Sequence, residues 1–252
     1  MFYTTSEVAK IIGIHPNTVR LYEELKLISK PNRLENGYRV FTELHIEQFK
    51  VARLAFQVEV LQNGLRKRAV EIIKTTGKCD FDKALKLTLS YLSQLEDEMQ
   101  NAEKAIHFVE QIMLGKNKVE QGLRLTRKET ADYLNVTIDT LRNWELNGLM
   151  TVKRKENGYR VYNDTDIQIL RIIKSLRCAN YSLSSIRRML YILSQNTQID
   201  IRNAIDTSQS SDDIITACDT LLTSLNNAEA NAKEIYTHLI EMKNKYLTNP
   251  PL

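Results

Sequence analysis

The sequence predicts a mainly α-helical protein made of two copies of one module, each followed by a long helix of coiled-coil type. Three observations favour this fold: a segment near the start recurs in the second half, glycine and proline are scarce, and two stretches carry heptad-spaced apolar residues. With only 8 Gly and 4 Pro among 252 residues, many tight turns are not expected. A long recurrence of this kind indicates a duplicated structural unit.

The duplication is the most specific of the three observations. Residues 4–40 align with residues 126–161, and the run Glu35–Val40 recurs unchanged as Glu156–Val161. Further identities precede this run, including Glu23 with Glu145, and a one-residue deletion in the second copy separates them from it. Chance similarity between two helical segments does not account for such a match. The two copies are therefore expected to share one fold.

Each copy begins with two short helices. A capping box, in which a threonine and a glutamate satisfy free backbone amides reciprocally, opens the first helix of each copy: Thr4 with Glu7, and Thr126 with Glu129. The apolar face of the first helix is assigned to three residues: Val8, Ile11 and Ile12. The second helix begins near His15 with Pro16 in its first turn, and Thr137 takes the capping position in the second copy. Two short helices joined by a tight turn predict a helix-turn-helix.

A β-hairpin follows each helix pair. Asn36-Gly37 and Asn157-Gly158 are typical of two-residue hairpin turns, because both residue types tolerate positive φ. A hairpin directly after a helix-turn-helix is a wing, so each copy is predicted to be a winged helix-turn-helix. Apolar periodicity then predicts two further helices in each copy: 42–56 and 65–73 in the first, 163–176 and 186–193 in the second.

Both copies end in a heptad-spaced helix. The first apolar stripe contains Leu85, Leu92, Leu95, Met99, Ala102, Ile106, Val109 and Met113. The second contains Ile214, Cys218, Leu221, Leu225, Ala228, Ala232, Ile235, Leu239, Met242 and Tyr246. Alternating three- and four-residue spacing over this length is typical of a dimerising coiled coil. The alternative is an ordinary amphipathic helix that packs on its own domain.

These elements give a domain organisation. The first winged helix-turn-helix is expected in 1–78 and its coiled-coil helix in 79–115. A polar linker bounded by glycines, 116–123, leads to the second winged helix-turn-helix in 124–207 and the second coiled-coil helix in 208–252.

Composition excludes several classes of protein. The net charge of +4 is too small to indicate nucleic acid by itself, and the three cysteines are too few and too far apart for a disulfide framework. The N-terminus lacks a signal peptide, and no apolar run is long enough to cross a bilayer, so a cytoplasmic protein is expected. The four histidines lack metal-ligand spacing, and no catalytic motif is present. Neither an enzyme nor a cofactor or metal site is expected.

The combined motifs resemble the mercury-resistance regulator (MerR) family. In that family the second helix carries an arginine followed by an aromatic residue and a glutamate, which matches Arg20–Glu23 and Arg142–Glu145. A Gly-Tyr-Arg wing follows, which matches Gly37–Arg39 and Gly158–Arg160. The resemblance implies a DNA-binding transcription regulator with a long antiparallel dimerisation helix. This chain departs from the family in carrying two modules, and it lacks the cysteines of metal-sensing members.

Candidate DNA-contacting residues fall into two groups. Base edges are assigned to the N-terminal residues of each second helix, Asn17 and Thr18 in one copy and Asp139 and Thr140 in the other. Phosphates are assigned to basic and aromatic residues of helix and wing: Arg20, Tyr22, Lys30, Arg33, Tyr38, Arg39, Arg142, Trp144, Lys153, Arg154, Tyr159 and Arg160. Two alternatives stay open. The arginines could form surface ion pairs, and Tyr22 and Trp144 could fill the core.

The resulting hypothesis is a regulator that binds double-stranded promoter DNA at an asymmetric or pseudo-palindromic site and distorts it, affecting RNA polymerase indirectly. Asparagine can bond adenine bidentately whereas aspartate can accept only from cytosine, so Asn17 and Asp139 are predicted to favour different half-sites. The long helices could pair within one chain, as a monomeric pseudo-dimer, or between two chains, as a homodimer. The alternatives are a DNA-bending architectural or excision-type factor and a coiled-coil adaptor without DNA binding. The sequence identifies no small-molecule effector.

Overall fold

The computed structural model describes residues 1–57, 64–116, 122–152, 160–195, 200–207 and 220–247. The fold is mainly α-helical, as predicted, and the described residues form eleven helices and two small sheets. The chain divides into two compact units. Unit 1 combines Met1–Asp97 with Ser224–Leu252, and unit 2 is Glu98–Thr223.

Unit 1 begins with a helix-turn-helix and its wing. Strand β1 (Phe2–Tyr3) precedes helices α1 (Thr5–Ile12) and α2 (Pro16–Glu24), and strands β2 (Asn32–Arg33) and β3 (Arg39–Thr42) follow. The three strands form an antiparallel sheet with β3 in the middle. The pair β2–β3 is the predicted wing.

The predicted start and stop signals act on these helices. Glu7 and Thr4 form the capping box of α1, with the Glu7 Oε2 atom accepting from the Thr4 amide at 2.7 Å. Gly13, at φ 71°, ends α1 in the left-handed conformation that glycine adopts without strain. His15 then caps α2, because its Nδ1 atom accepts from the Asn17 amide at 3.1 Å.

Two helices complete the first module. Helix α3 (Glu43–Gln57) lies one residue later than the predicted 42–56, and helix α4 (Leu65–Gly77) extends the predicted 65–73 by four residues. The core unites residues from the first two helices, the sheet and this helix pair: Val8, Val19, Tyr22, Phe41, Phe49 and Ile73. The prediction that Ile11 lies on the buried face of α1 is wrong, because Ile11 is 50% exposed. Ala9 is buried instead.

The second copy repeats this plan in unit 2. Strand β4 (Arg124–Leu125) precedes helices α6 (Arg127–Leu134) and α7 (Ile138–Leu146), and strand β5 (Tyr162–Asn163) leads into helix α8 (Asp164–Cys178). Thr126 with Glu129, and Asn163 with Asp166, form capping boxes. The predicted turn at Asn157-Gly158 lies outside the described residues.

The remaining helices close the two units. Helix α5 (Phe81–Met113) follows α4, and helix α9 (Leu183–Gln195) follows α8. A short helix α10 (Ile201–Asp206), which was not predicted, precedes the final helix α11 (Leu221–Leu247). The linker predicted at 116–123 lies mostly outside the described residues.

The wing turn differs from the prediction. The Leu34 amide donates to the Tyr38 carbonyl at 2.9 Å, and the Gly37 amide donates to the Leu34 carbonyl at 2.8 Å. The loop therefore has three residues rather than two. Gly37 has φ 83°, whereas Asn36 does not have positive φ. Instead the Asn36 side chain accepts from the Tyr38 amide at 3.1 Å, which stabilises the turn without the strained conformation.

The two long helices follow their predicted stripes to different degrees. Most of the predicted α11 stripe is buried: Leu221, Leu225, Ala228, Ala232, Ile235, Leu239 and Met242. Tyr246 is half-buried, and Ile214 and Cys218 lie outside the described residues. In α5, Leu95, Ile106 and Val109 are buried, but Leu85, Leu92 and Met99 are only half-buried and Met113 is 38% exposed.

In the first half of α5 the buried stripe lies one residue earlier than predicted. It contains Phe81, Ala84, Thr88, Tyr91 and Leu95, which have the same heptad spacing. Thr88 is tolerated there because its hydroxyl donates to the Ala84 carbonyl at 2.8 Å. The pairing of these helices as a coiled coil stays a prediction.

Candidate nucleic-acid interface

The N-terminal turn of α2 presents a polar surface. Asn17 and Arg20 are exposed, Thr18 is half-buried, and the Arg20 Nη1 atom donates to the Asn17 side-chain oxygen at 3.0 Å. This bond orients the Asn17 amide so that its nitrogen, a donor, points away from the arginine. The first copy therefore offers an amide and a guanidinium side by side on α2. We call α2, and its counterpart α7 in the second copy, the recognition helix of its module.

The second copy offers different chemistry at the same positions. Asp139 and Arg142 on α7 are exposed, and Thr140 is half-buried. The Thr137 hydroxyl accepts from the Thr140 amide at 3.0 Å and lies 2.8 Å from the Thr140 hydroxyl. An acid replaces the amide of Asn17, so this surface is less favourable for an anion than its counterpart.

In the first copy, one carboxylate joins the recognition helix to the wing. Glu23, near the end of α2, accepts from the Arg39 Nε atom on β3 and from Arg33 on β2 at 3.3 Å. The Glu23 side chain is only 12% exposed, whereas that of Arg33 is 45% exposed. The Arg33 guanidinium also donates to the Gly37 carbonyl at 3.3 Å, inside the wing loop. The two family motifs of the sequence thus meet in space.

The corresponding carboxylate of the second copy has more partners. The Glu145 Oε2 atom accepts from Arg127 at 2.7 Å and from Arg160 at 2.8 Å, and Oε1 accepts from the Tyr162 hydroxyl at 2.5 Å. Burial, and then the hydrogen bond to Glu145, raise the pKa of Tyr162. Glu145 and Arg160 therefore repeat Glu23 and Arg39, with two further partners.

The surface ion pairs that the sequence left open for the arginines are thus formed by Arg33, Arg39 and Arg160. Arg39 and Arg160 engage the carboxylate through Nε, which leaves their outer nitrogens directed away from that bond. In the first copy this contact joins β3 of the wing to α2, whereas the residues just before Arg160 lie outside the described part of the chain. Glu23 and Glu145 were not predicted as site residues, although their identity in the two copies was a signal for them.

Several of the predicted residues line one groove of the first module. The groove has a volume of about 830 Å³ and lies between the start of α1, the recognition helix and the wing. Its polar lining includes Thr4, Thr5, Ser6, Arg20, Arg33, Tyr38 and Arg39. Basic side chains beside the amides of a helix N-terminus make a favourable place for an anion such as phosphate. Tyr38 is 71% exposed at its edge.

Two predicted DNA contacts are wrong. Tyr22 and Trp144 are 6% and 5% exposed, and the ring of Tyr22 stacks on Phe49 with a centroid distance of 5.3 Å. Burial raises the pKa of Tyr22. These rings fill the core of their modules, as the alternative interpretation had it. Lys30 is exposed as expected.

Three predicted residues of the second wing, Lys153, Arg154 and Tyr159, lie outside the described residues. Within the described part of the chain, no group of three or more His, Cys, Asp or Glu side chains is placed to hold a metal ion. In the same part, no helix is both long and apolar enough to span a membrane.

Comparison with known families gives the same result for both copies. Residues 4–41 match the family described as "MerR family regulatory protein", and residues 125–191 match "MerR HTH family regulatory protein". No solved structure matches the chain.

Curated relatives are transcriptional regulators. The HTH-type transcriptional regulator CueR of Escherichia coli is 45% identical over 53 residues, 21% of this chain and 39% of CueR. The regulator ZntR of Escherichia coli is 40% identical over 65 residues, 25% of this chain and 46% of ZntR. An uncharacterized HTH-type transcriptional regulator of Synechocystis is 31% identical over 105 residues, 40% of this chain and 72% of that protein. The chain thus spans less than half the length of the CueR and ZntR relatives.

Proposed function

Because this chain belongs to the MerR family of regulatory proteins, we propose that it is a sequence-specific transcription regulator that binds double-stranded promoter DNA through two non-identical modules. One observation carries the proposal: in each copy a carboxylate near the end of the recognition helix pairs with the arginine of the Gly-Tyr-Arg motif, Glu23 with Arg39 and Glu145 with Arg160. Fixed placement of the recognition helix relative to that motif is what groove recognition requires.

The recognition helices α2 and α7 enter the major groove, with the exposed residues of their first turns nearest the bases. The DNA phosphates on one side of the major groove then lie in the protein groove between α2 and the wing, where Arg20 and Tyr38 are exposed. Arg142 takes the place of Arg20 in the second module. The arginines tied to Glu23 and Glu145 contribute charge and position the wing.

The two modules read different half-sites. Asn17 bonds adenine in the first half-site, whereas Asp139 accepts from cytosine in the second and repels the nearby phosphates. A single binding site is therefore asymmetric. The exchange Asn17→Asp should move the first half-site's preference toward that of the second, and Asp139→Asn should do the reverse. Unchanged preferences in a selection from random duplexes would contradict this assignment.

Distortion of the promoter follows from binding two modules across one duplex. Bending and untwisting a site costs on the order of a few kcal/mol, which phosphate contacts must supply. RNA polymerase then responds to the altered promoter rather than to a direct contact. Gel mobility of circularly permuted duplexes would measure the bend.

The proposal is tested by fluorescence anisotropy with a duplex from the chain's own upstream region. Arg20→Ala and Arg142→Ala should each weaken binding and reduce the slope of log affinity against log salt by about 1. Lys104→Ala, an exposed lysine on α5, is the matched control and should bind normally. Equal binding to random duplex would favour the architectural alternative, and no binding would favour the adaptor.

A further inference from the structure

Unit 1 is completed by a helix from the far end of the chain. Helix α11 runs antiparallel to α3 of the first module, and three of its residues contact α3 or its N-terminal end. Asn231 donates to the Leu54 carbonyl at 3.2 Å, His238 lies 3.5 Å from Glu47, and Lys245 lies 2.9 Å from Glu43. The three α11 residues are seven apart, so one stripe of α11 makes all these contacts.

Helix α11 also carries a buried apolar stripe. The α11 residues Leu225, Ala228, Ala232, Ile235, Leu239 and Met242 all belong to unit 1 and are at most 4% exposed. A buried stripe of this length is a core surface rather than a loose surface contact. The first module is therefore finished by the helix that follows the second module.

Unit 2 shows the reciprocal arrangement. The second half of α5, which follows the first module, lies in unit 2. There Glu98 accepts from Asn180 at 3.1 Å, Glu103 pairs with Arg202 through both carboxylate oxygens, and Phe108 lies under the Arg171 guanidinium at 5.5 Å.

The charges of the two contacts are opposite. In unit 1, α11 brings Lys245 to Glu43 and His238 to Glu47, both on α3. It also brings Lys243 to Asp82, which lies on α5 just after the first module. Towards the second module, α5 brings the acidic residues Glu98 and Glu103 to Asn180 and Arg202. If α5 covered a first module instead, acidic residues would face the acidic surface of α3, which like-charge repulsion disfavours.

We infer that the two modules exchange their long helices within a single chain, and that this charge pattern directs α11 to the first module and α5 to the second. The partner surface of each module is thus the other half of the same polypeptide. The segment between α5 and β4 is short, so the effective concentration of one half for the other exceeds the concentration of any second chain. One chain is then a complete pseudo-dimer with a fixed order of modules. The inference does not depend on DNA binding.

Light scattering on the full chain tests the stoichiometry. The expected mass is 29.2 kDa across the micromolar range. A mass near twice that value would mean that helices are exchanged between two chains, and it would overturn the inference. DNA binding by such a dimer would leave the proposed function standing.

Cleavage within the linker tests the exchange itself. A protease site is placed in 116–122 of the full chain and cut after folding. The two halves should elute together, because each holds the other's helix, and separation of the halves would overturn the inference. Arg202→Glu should weaken their association about tenfold, and adding Glu103→Arg should restore it. Lys233→Glu is the matched control, since its partner Glu229 lies on the same helix.

The first module supplies an independent pair if Arg202→Glu fails to fold. Lys245→Glu should likewise loosen the cut chain, with rescue by Glu43→Lys. If neither reversal differs from Lys233→Glu, charge does not direct the exchange and that part of the inference is wrong.

Discussion

The carboxylate of Glu145 should be a main support of the second module, and Glu145→Gln tests this directly. The substitution keeps the shape of the side chain and removes its charge. Glu145 is 10% exposed and accepts from two arginines and the Tyr162 hydroxyl. An amide cannot accept from all three, because one of its oxygens becomes a donor nitrogen. Since charge-assisted bonds contribute about 1.5–3 kcal/mol when partly buried, we expect a loss of about 2 kcal/mol.

Tryptophan fluorescence during urea unfolding is a suitable assay. Trp144 is the only tryptophan of the chain, is buried, and precedes Glu145 directly, so the signal reports the module that is perturbed. With a urea dependence of about 2 kcal/mol per molar, the loss corresponds to a midpoint about 1 M lower. The control is Asp132→Asn, which removes an exposed carboxylate from the neighbouring helix α6 and should change stability by less than about 0.5 kcal/mol.

A midpoint for Glu145→Gln equal to that of Asp132→Asn would refute the reasoning, because the tie would then contribute no more than a surface charge. The second module would then be stabilised by its packing and backbone hydrogen bonds, without a measurable contribution from this carboxylate.

Three further predictions concern the first module. Glu23→Gln should cost less than Glu145→Gln, about 1 kcal/mol by thermal unfolding, because Glu23 has two arginine partners and Arg33 is 45% exposed. Burial lowers the pKa of His45, whose Nδ1 accepts from the Thr42 amide, so stability should fall as the pH drops below about 6.5, and His45→Gln, which does not titrate, should remove that loss; an unchanged pH dependence would contradict it. Gly77→Ala should destabilise by about 1–3 kcal/mol in urea unfolding, since its Cβ would lie 3.0 Å from the Leu27 carbonyl oxygen; a neutral effect would show that the backbone yields.

Helix-capping signals and apolar periodicity were sufficient where the structure depends on residues close together in the sequence. Both threonine capping boxes, the helix-turn-helix of each copy and the apolar stripe of α11 could be predicted, because each rests on residues three or four apart. The register of α5 could not. Leu85 and Leu92 and the buried Ala84 and Tyr91 form adjacent stripes with equal spacing, and only the surface packed against the helix decides between them.

The residue types of the candidate site could be predicted, but not which of its side chains pair with one another. Arginine chemistry fits phosphate and carboxylate equally well, so the sequence alone could not assign Arg39 and Arg160 to a glutamate ten or more residues away. The same limit applied to Tyr22 and Trp144, since an aromatic side chain beside a basic residue suits either a core or a nucleic-acid surface. Burial settled that choice.

Comparison of the two copies separates residues that hold the module together from residues that distinguish one module from the other. Glu23 with Arg39 and Glu145 with Arg160 are identical pairs, and each joins the second helix of its module to the arginine of the Gly-Tyr-Arg motif. The recognition helix begins with Asn17 in one copy and Asp139 in the other, where identity is not required for folding because both positions are exposed. The surfaces that receive the long helices also differ, acidic on the first module and basic on the second. If two copies of the chain paired first module with first module, one DNA site would receive two modules of the same kind, and the difference between the modules would have no effect. The opposite charges on the exchanged helices would keep one module of each kind together on one DNA site.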